Sequence, residues 1–190
     1  MQKSNKITTQ VLVRAAFLTA LSIVLTRFLS IIAPVGGAGT IRIGFGGIPV
    51  FISGMLFGPT VGGITGIAAD LIGVLINPMG SFHPGFTFTS FLGGFIPGLF
   101  ALYFRKRPID GNYITLSRVV IAKVVVSVIT GLILNPIWLI GLYGKASVIA
   151  SYPFRVLNTA INMVIGAIVS YNILKMFKKE TRVDEKDIRV

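Results

Sequence analysis

The chain contains no cysteine, one histidine and one tryptophan, and only six of its 190 residues are acidic. Without thiols it can form neither disulfides nor thiolate metal sites. His83 and one acid within the apolar segments, Asp70, are too few ligands for a metal cluster. Catalytic signatures are missing as well. A Walker phosphate loop requires GxxxxGK[ST], and the nearest fragment, Gly141-Leu142-Tyr143-Gly144-Lys145, lacks that spacing. The chain therefore does not hydrolyse ATP by that route. No HExxH, GxSxG or pair of membrane aspartates supports intramembrane hydrolysis, and no selectivity filter marks a channel. Neither an enzyme nor a bound cofactor is expected.

What is abundant is apolar. Hydrophobic residues make up 53% of the chain and the mean hydropathy is +0.83, far outside the soluble range. The expected class is an all-α integral membrane protein of the cell membrane. Apolar segments fall at 11–33, 43–57, 59–76, 86–104, 117–140 and 153–177, which predicts six transmembrane helices where a bilayer core needs about 20 helical residues. The second segment is short and glycine-rich, so an oblique or partly irregular entry is expected there. Its preceding loop, 34–47, is then a candidate cavity lining, because non-helical backbone at membrane depth must be satisfied by protein or water. The basic N-terminus resembles a signal peptide, but 11–33 is long enough to span and reads as a retained first helix.

The net charge of +12 is explained by the positive-inside rule rather than by nucleic acid. In a six-span arrangement Lys3, Lys6, Arg14, Arg105, Lys106, Arg107, Lys175, Lys178, Lys179 and Arg182 share one side, against Arg42, Lys145 and Arg155 on the other. Both termini are therefore expected in the cytoplasm. This divides the chain into a cytoplasmic segment 1–10, a six-helix membrane domain 11–177 and a charged cytoplasmic tail 178–190. Loops 34–47, 77–85 and 141–152 fall outside.

The stretch 77–98, NPMGSFHPGFTFTSFLGGFIPG, is dense in proline and glycine and carries His83 between Phe82 and Pro84. Small residues recur at Gly54, Gly58, Gly62 and Gly66, at Gly94 and Gly98, and at Ala16 and Ala20, spacings that let helix backbones approach. Four charges lie inside apolar segments, each costing about 2.5 to 3.5 kcal/mol at a helix centre. Arg118 is close enough to a helix end to snorkel, whereas Lys123 either snorkels or forms an ion pair. Arg27 and Asp70 pair with each other or hold a ligand: an arginine fork suits a carboxylate, and an aspartate accepts two hydrogen bonds from an amino-substituted heterocycle. Arg155, Asn158 and Asn162 recur at three and four on one helix face, lining a pocket or bonding a neighbouring helix. Trp138, Tyr143 and Tyr152 suit either a pocket or an interfacial belt.

Several motifs together carry a resemblance. Ala16-Phe17-Leu18-Thr19-Ala20 is similar to the AxxxA docking motif of the substrate-binding S-components of energy-coupling-factor vitamin transporters. More specific are Ile41-Arg42-Ile43-Gly44-Phe45 leading to Ile48-Pro49, then Phe57-Gly58-Pro59, then Pro84-Gly85-Phe86-Thr87 with Gly94-Phe95-Ile96-Pro97-Gly98. This set resembles the folate-specific branch. The resemblance implies a vitamin captured from outside and passed to a transmembrane coupling protein driven by two cytoplasmic ATPases. Ala16 and Ala20 would face the coupling protein, and external loops one, three and five would cover the ligand. For folate, chemistry and topology suggest that Phe86, Trp138 and Tyr143 stack on rings. Asp70, Asn158 and Asn162 would read a heterocycle edge, Arg42 or Arg155 would meet carboxylates, and Arg27 and His83 complete the candidate set. Riboflavin or another vitamin on the same scaffold is the alternative within transport. A stand-alone proton-coupled transporter using Asp70 is the alternative outside it.

Overall fold

The computed structural model describes residues 8–35, 39–78, 82–107 and 114–184, with 31–43 and 178–184 described by their backbone alone. In chain order the elements are α1 (Thr9–Arg27), β1 (Ile31–Val35), β2 (Gly39–Ile43), α2 (Gly47–Phe57), α3 (Pro59–Ile76) and α4 (Pro84–Lys106). There follow α5 (Leu116–Ser127), a π-helical segment (Val128–Leu134), α6 (Asn135–Tyr143) and α7 (Lys145–Asp184). Five helical stretches are long and apolar enough to cross a membrane, counting Leu116–Tyr143 as one, and α2 is a shorter apolar helix beside them.

At 11 residues, α2 is about 16 Å long, too short to span. It is also apolar all round, and every residue from Ile48 to Met55 is buried. A helix with no polar face is stable only when other helices surround it. Around α2 sits the core of Leu18, Phe51, Ile52, Met55, Ala101, Val119, Ala122 and Leu174. The turn into α3 is made by Gly58 at φ 91°, a left-handed conformation suited to glycine, followed by Pro59 at the first helical position. Backbone meets backbone between α3 and α4: a Cβ on Gly94 would stand 2.0 Å from the carbonyl oxygen of Gly62. The recurrent glycines thus pack helices within the bundle.

Side chains tie the helix ends together. Arg27 Nη1 donates to the carbonyl of Asn77 at 3.1 Å, joining the C-terminal ends of α1 and α3. At the opposite end Arg105 Nη2 donates to the carbonyl of Leu56 at 2.6 Å. Arg118 donates to the carbonyls of Phe104 and Arg107 and lies over the Phe104 ring at 4.9 Å. Instead of snorkelling, the buried Arg118 caps the carbonyl end of α4, where a cation complements the helix dipole. Leu174 packs in the same core as Met55 and Ala101, so α1 starts and α7 finishes at this basic end.

The six expected spans become five candidate membrane helices plus the short α2, and the first helix, expected over 11–33, ends at Arg27. Other expectations change as well. An antiparallel hairpin of β1 and β2 begins in the expected first helix and runs into loop 34–47, pairing Ile31 with Ile43 and Val35 with Gly39, because β-branched residues on both arms suit extended backbone. The fold is therefore helical with one small hairpin. The external loop expected at 141–152 is reduced to Gly144, at φ 80° between α6 and α7; Pro153 suggests a helix start but lies inside α7. The tail expected beyond 177 continues α7 to Asp184. The segment before residue 8, the basic link at 108–113 and the chain beyond 184 lie outside the described residues.

Candidate functional site

A cavity of about 270 Å³ lies between α1, α2, α3, α4 and α5. Its polar wall is built from Ser22, Thr26 and Arg27 on α1, Asp70 on α3, Thr89 and Ser90 on α4, and Lys123, Ser127 and Thr130 on α5 and the π segment. Ser22 donates to the carbonyl of Gly46 at 2.7 Å, fixing the start of α2 against α1. Thr26 folds back onto the Ser22 carbonyl at 2.7 Å. Both hydroxyls are therefore positioned before any ligand arrives.

At the end of the cavity toward Asn77, Arg27 and Asp70 approach at 3.9 Å, their side chains only 9% and 16% exposed. Asp70 Oδ2 also accepts from Thr87 Oγ1 at 2.7 Å. The guanidinium lies against Gly73, where a Cβ would come within 2.8 Å of Nε, and Nε is buried with no partner among the described residues. Such a pair offsets the desolvation of two charges but contributes little net stability. The carboxylate keeps accepting capacity for more hydrogen bonds.

A second cluster stands beside this end. His83 is the N-cap of α4, its Nδ1 accepting from the Gly85 N–H at 3.0 Å. Its ring lies 5.6 Å from Trp138 and 6.0 Å from Phe86. Trp138 lies so close to Gly85 that a Cβ there would fall 2.3 Å from the indole. Trp138 Nε1 donates to Thr89 Oγ1 at 3.2 Å, and Thr89 donates to the Gly85 carbonyl at 2.9 Å. The aromatic cluster is thereby linked to Thr89 on the cavity wall. The π segment adds a residue per turn just before Trp138, rotating α6 by about 100° relative to α5.

The polar part of this half-open cavity contains a carboxylate, two cations and hydroxyls, but no histidine or cysteine, and among the described residues no group of three metal-binding side chains occurs. Residues 6–179 match the family model described as ECF-type riboflavin transporter, S component. The chain belongs to this family.

Two relatives align over most of their length with this S component. It is 42% identical over 166 residues to the folate transporter FolT of Clostridium novyi (strain NT), covering 87% of this chain and 88% of that protein. It is 30% identical over 173 residues to the folate transporter FolT of Leuconostoc mesenteroides, covering 89% and 86%. Among solved structures, that of FolT bound with folic acid is similar at TM-score 0.69 and 32% identity, covering 87% of this chain and 92% of the other. The S component is a multi-pass membrane transport protein, not an enzyme.

Of the residues expected at its site, Arg27 and Asp70 line the cavity, and they pair as well. His83, Phe86 and Trp138 form the adjoining aromatic cluster. Asn162 Oδ1 accepts from the Gly44 N–H at 3.0 Å, and its amide nitrogen donates to Asn158 Oδ1 at 2.9 Å. These two asparagines hold the segment after β2 against α7. Arg155 Nε donates to Ser151 Oγ at 3.2 Å within α7. Tyr143, 58% exposed at the end of α6, is not among the cavity-lining residues. The backbone of Arg42 pairs with Ile32, and its side chain lies outside the described residues. The sequence reading missed Ser22, Thr26, Thr89, Ser90, Ser127 and Thr130 as wall residues. A signal was present on α5, because Lys123, Ser127 and Thr130 recur at i, i+4 and i+7, a polar stripe in an apolar run.

Proposed function

We propose that this S component captures folate at the outer side of the membrane and releases it through a coupling protein driven by two ATPases. The observation that carries the ligand choice is Asp70, a largely buried carboxylate in the cavity wall. A carboxylate only accepts hydrogen bonds. A pterin offers it two adjacent donors, the ring N3–H and the 2-amino group. The isoalloxazine of riboflavin places its N3–H between two carbonyls, which repel a carboxylate. The folate names of the two aligned relatives agree with this chemistry. The family model carries the riboflavin name, which makes riboflavin the second reading.

The single tryptophan provides the test, since Trp138 adjoins the cavity wall and an aromatic ligand would quench it. Purified protein is expected to show saturable quenching by folate and none by riboflavin at the same concentration; the reverse pattern overturns the proposal. In the ligand pose we favour, the heterocycle enters the cavity against Asp70. The benzoyl ring passes His83, Phe86 and Trp138, and the glutamate carboxylates remain at the wet outer mouth, with Arg42 or Arg155 as their proposed cationic partner. Asn158 and Asn162 support the rim instead of reading the ring.

The basic end of the bundle lies in the cytoplasm by the positive-inside rule, together with both termini. Ala16 and Ala20 are exposed on α1 among exposed Leu12, Val13 and Phe17, a small-residue surface where another helix can pack closely. Substituting Ala20→Trp is expected to cut uptake in cells with the full transporter by at least about tenfold. Folate affinity of the isolated subunit should stay within about twofold. Uptake at the wild-type rate would remove α1 from the docking surface.

A further inference from the structure

Lys123 is 9% exposed, and the only partner its ammonium has among the described residues is the Phe51 ring, 4.9 Å from Nζ. No hydrogen bond or ion pair is made to it there. The lysine sits in the middle of α5, against Gly166 of α7, where a Cβ would fall 2.7 Å from its Cε. It also lines the cavity that holds Asp70 and Arg27. A buried ammonium with three donors and no acceptor is costly unless something supplies the missing partner. Phe51 compensates in part through its π face.

The cavity that Lys123 shares with Asp70 indicates what the partner is. Lys123 lines the same cavity as Asp70, one turn before Ser127 and two before Thr130 along the helix. Free carboxylates of a ligand tail resist desolvation and stay at the mouth, so the group reaching the buried Lys123 belongs to the flat ring system. In a pterin, the atom adjoining the N3–H and 2-amino donors is the 4-oxo carbonyl, an acceptor. We propose that Lys123 donates to this ring carbonyl and so selects 4-oxo pterins over their 4-amino counterparts. The assignment rests on the folate reading above and adds to it a residue that sets specificity.

Folic acid and aminopterin, which differ by a 4-oxo in place of a 4-amino group and by the N3–H that accompanies the 4-oxo form, make the test. With the purified subunit, folic acid should bind at least about tenfold more tightly than aminopterin, because an ammonium facing an amino group leaves donor against donor. Lys123→Met should weaken folic acid at least about tenfold and shrink the preference to within about threefold. Lys123→Gln, whose amide both donates and accepts, should accept both ligands. Thermal unfolding without ligand identifies a variant that fails to fold, and then Lys123→Gln decides, because the wild-type preference alone also reflects the N3–H that aminopterin lacks and that Asp70 would read. Equal binding of the two ligands by the wild type overturns the proposal. So does a loss in Lys123→Met that is the same for both, which would mark Lys123 as structural. Binding of riboflavin with neither pterin bound would overturn the folate reading itself and is distinguishable from both results.

Discussion

Replacing Asp70 with asparagine is expected to weaken folate binding by about 100-fold or more. Two hydrogen bonds to a charged acceptor contribute about 1.5–3 kcal/mol each, and about 1.4 kcal/mol corresponds to a factor of ten. An amide retains one acceptor but turns a donor toward one of the ligand's donors. It also leaves the guanidinium of Arg27 without its carboxylate, 3.9 Å away in the native protein. Thr87 can still donate to the amide oxygen, so the α3–α4 contact at this point survives. Fluorescence titration of Trp138 measures the affinity, and the unfolding midpoint of the ligand-free protein checks that the bundle persists. Affinity within about threefold of the wild type would mean that Asp70 serves Arg27 alone.

The second large effect is structural. Gly94→Val should abolish a stable, monodisperse bundle, whereas the neighbouring substitution Gly93→Ala should leave it folded. A Cβ at Gly94 would lie 2.0 Å from the Gly62 oxygen and 2.4 Å from its carbonyl carbon, while at Gly93 nothing lies within 4 Å. Backbone cannot rotate aside as a side chain can, so α3 and α4 would have to separate, and overpacking of this kind costs more than the usual 1–3 kcal/mol. Size-exclusion profiles in detergent and thermal midpoints distinguish the two variants. A folded Gly94→Val protein with an unchanged midpoint would refute backbone contact between these helices.

The helices that cross the membrane could be read from the sequence because bilayer thickness imposes a length and composition on them. The close-packing glycines were visible for a related reason, since helix contact in lipid depends on small residues. What was hidden arises where local sequence is ambiguous. The run through Ile31 and Ile32 continues the apolar pattern of α1, yet the helix stops at Arg27 and these residues enter a hairpin. Pro153 has the appearance of a helix start, yet proline inside a membrane helix is tolerated when neighbours satisfy the freed backbone groups. Within the site, Arg27 and Asp70 stood out because charge in lipid is costly. Ser22, Thr26 and Thr89 did not, because a hydroxyl in an apolar run can be satisfied by backbone, as Thr26 and Thr89 are by their own helices and Ser22 by Gly46.

The complete burial of α2 has one more consequence. Membranes differ in hydrocarbon thickness by several ångströms, and a helix touching lipid responds by tilting or stretching its surroundings. Ile48 to Met55 touch protein on all sides, so hydrophobic mismatch has no direct hold on this helix. The cavity wall it supplies through Gly46, Gly47 and Val50 is set by packing rather than by lipid. The depth of the binding site should therefore persist between thin and thick bilayers, even as the lipid-facing faces of α1 and α7 adjust their tilt.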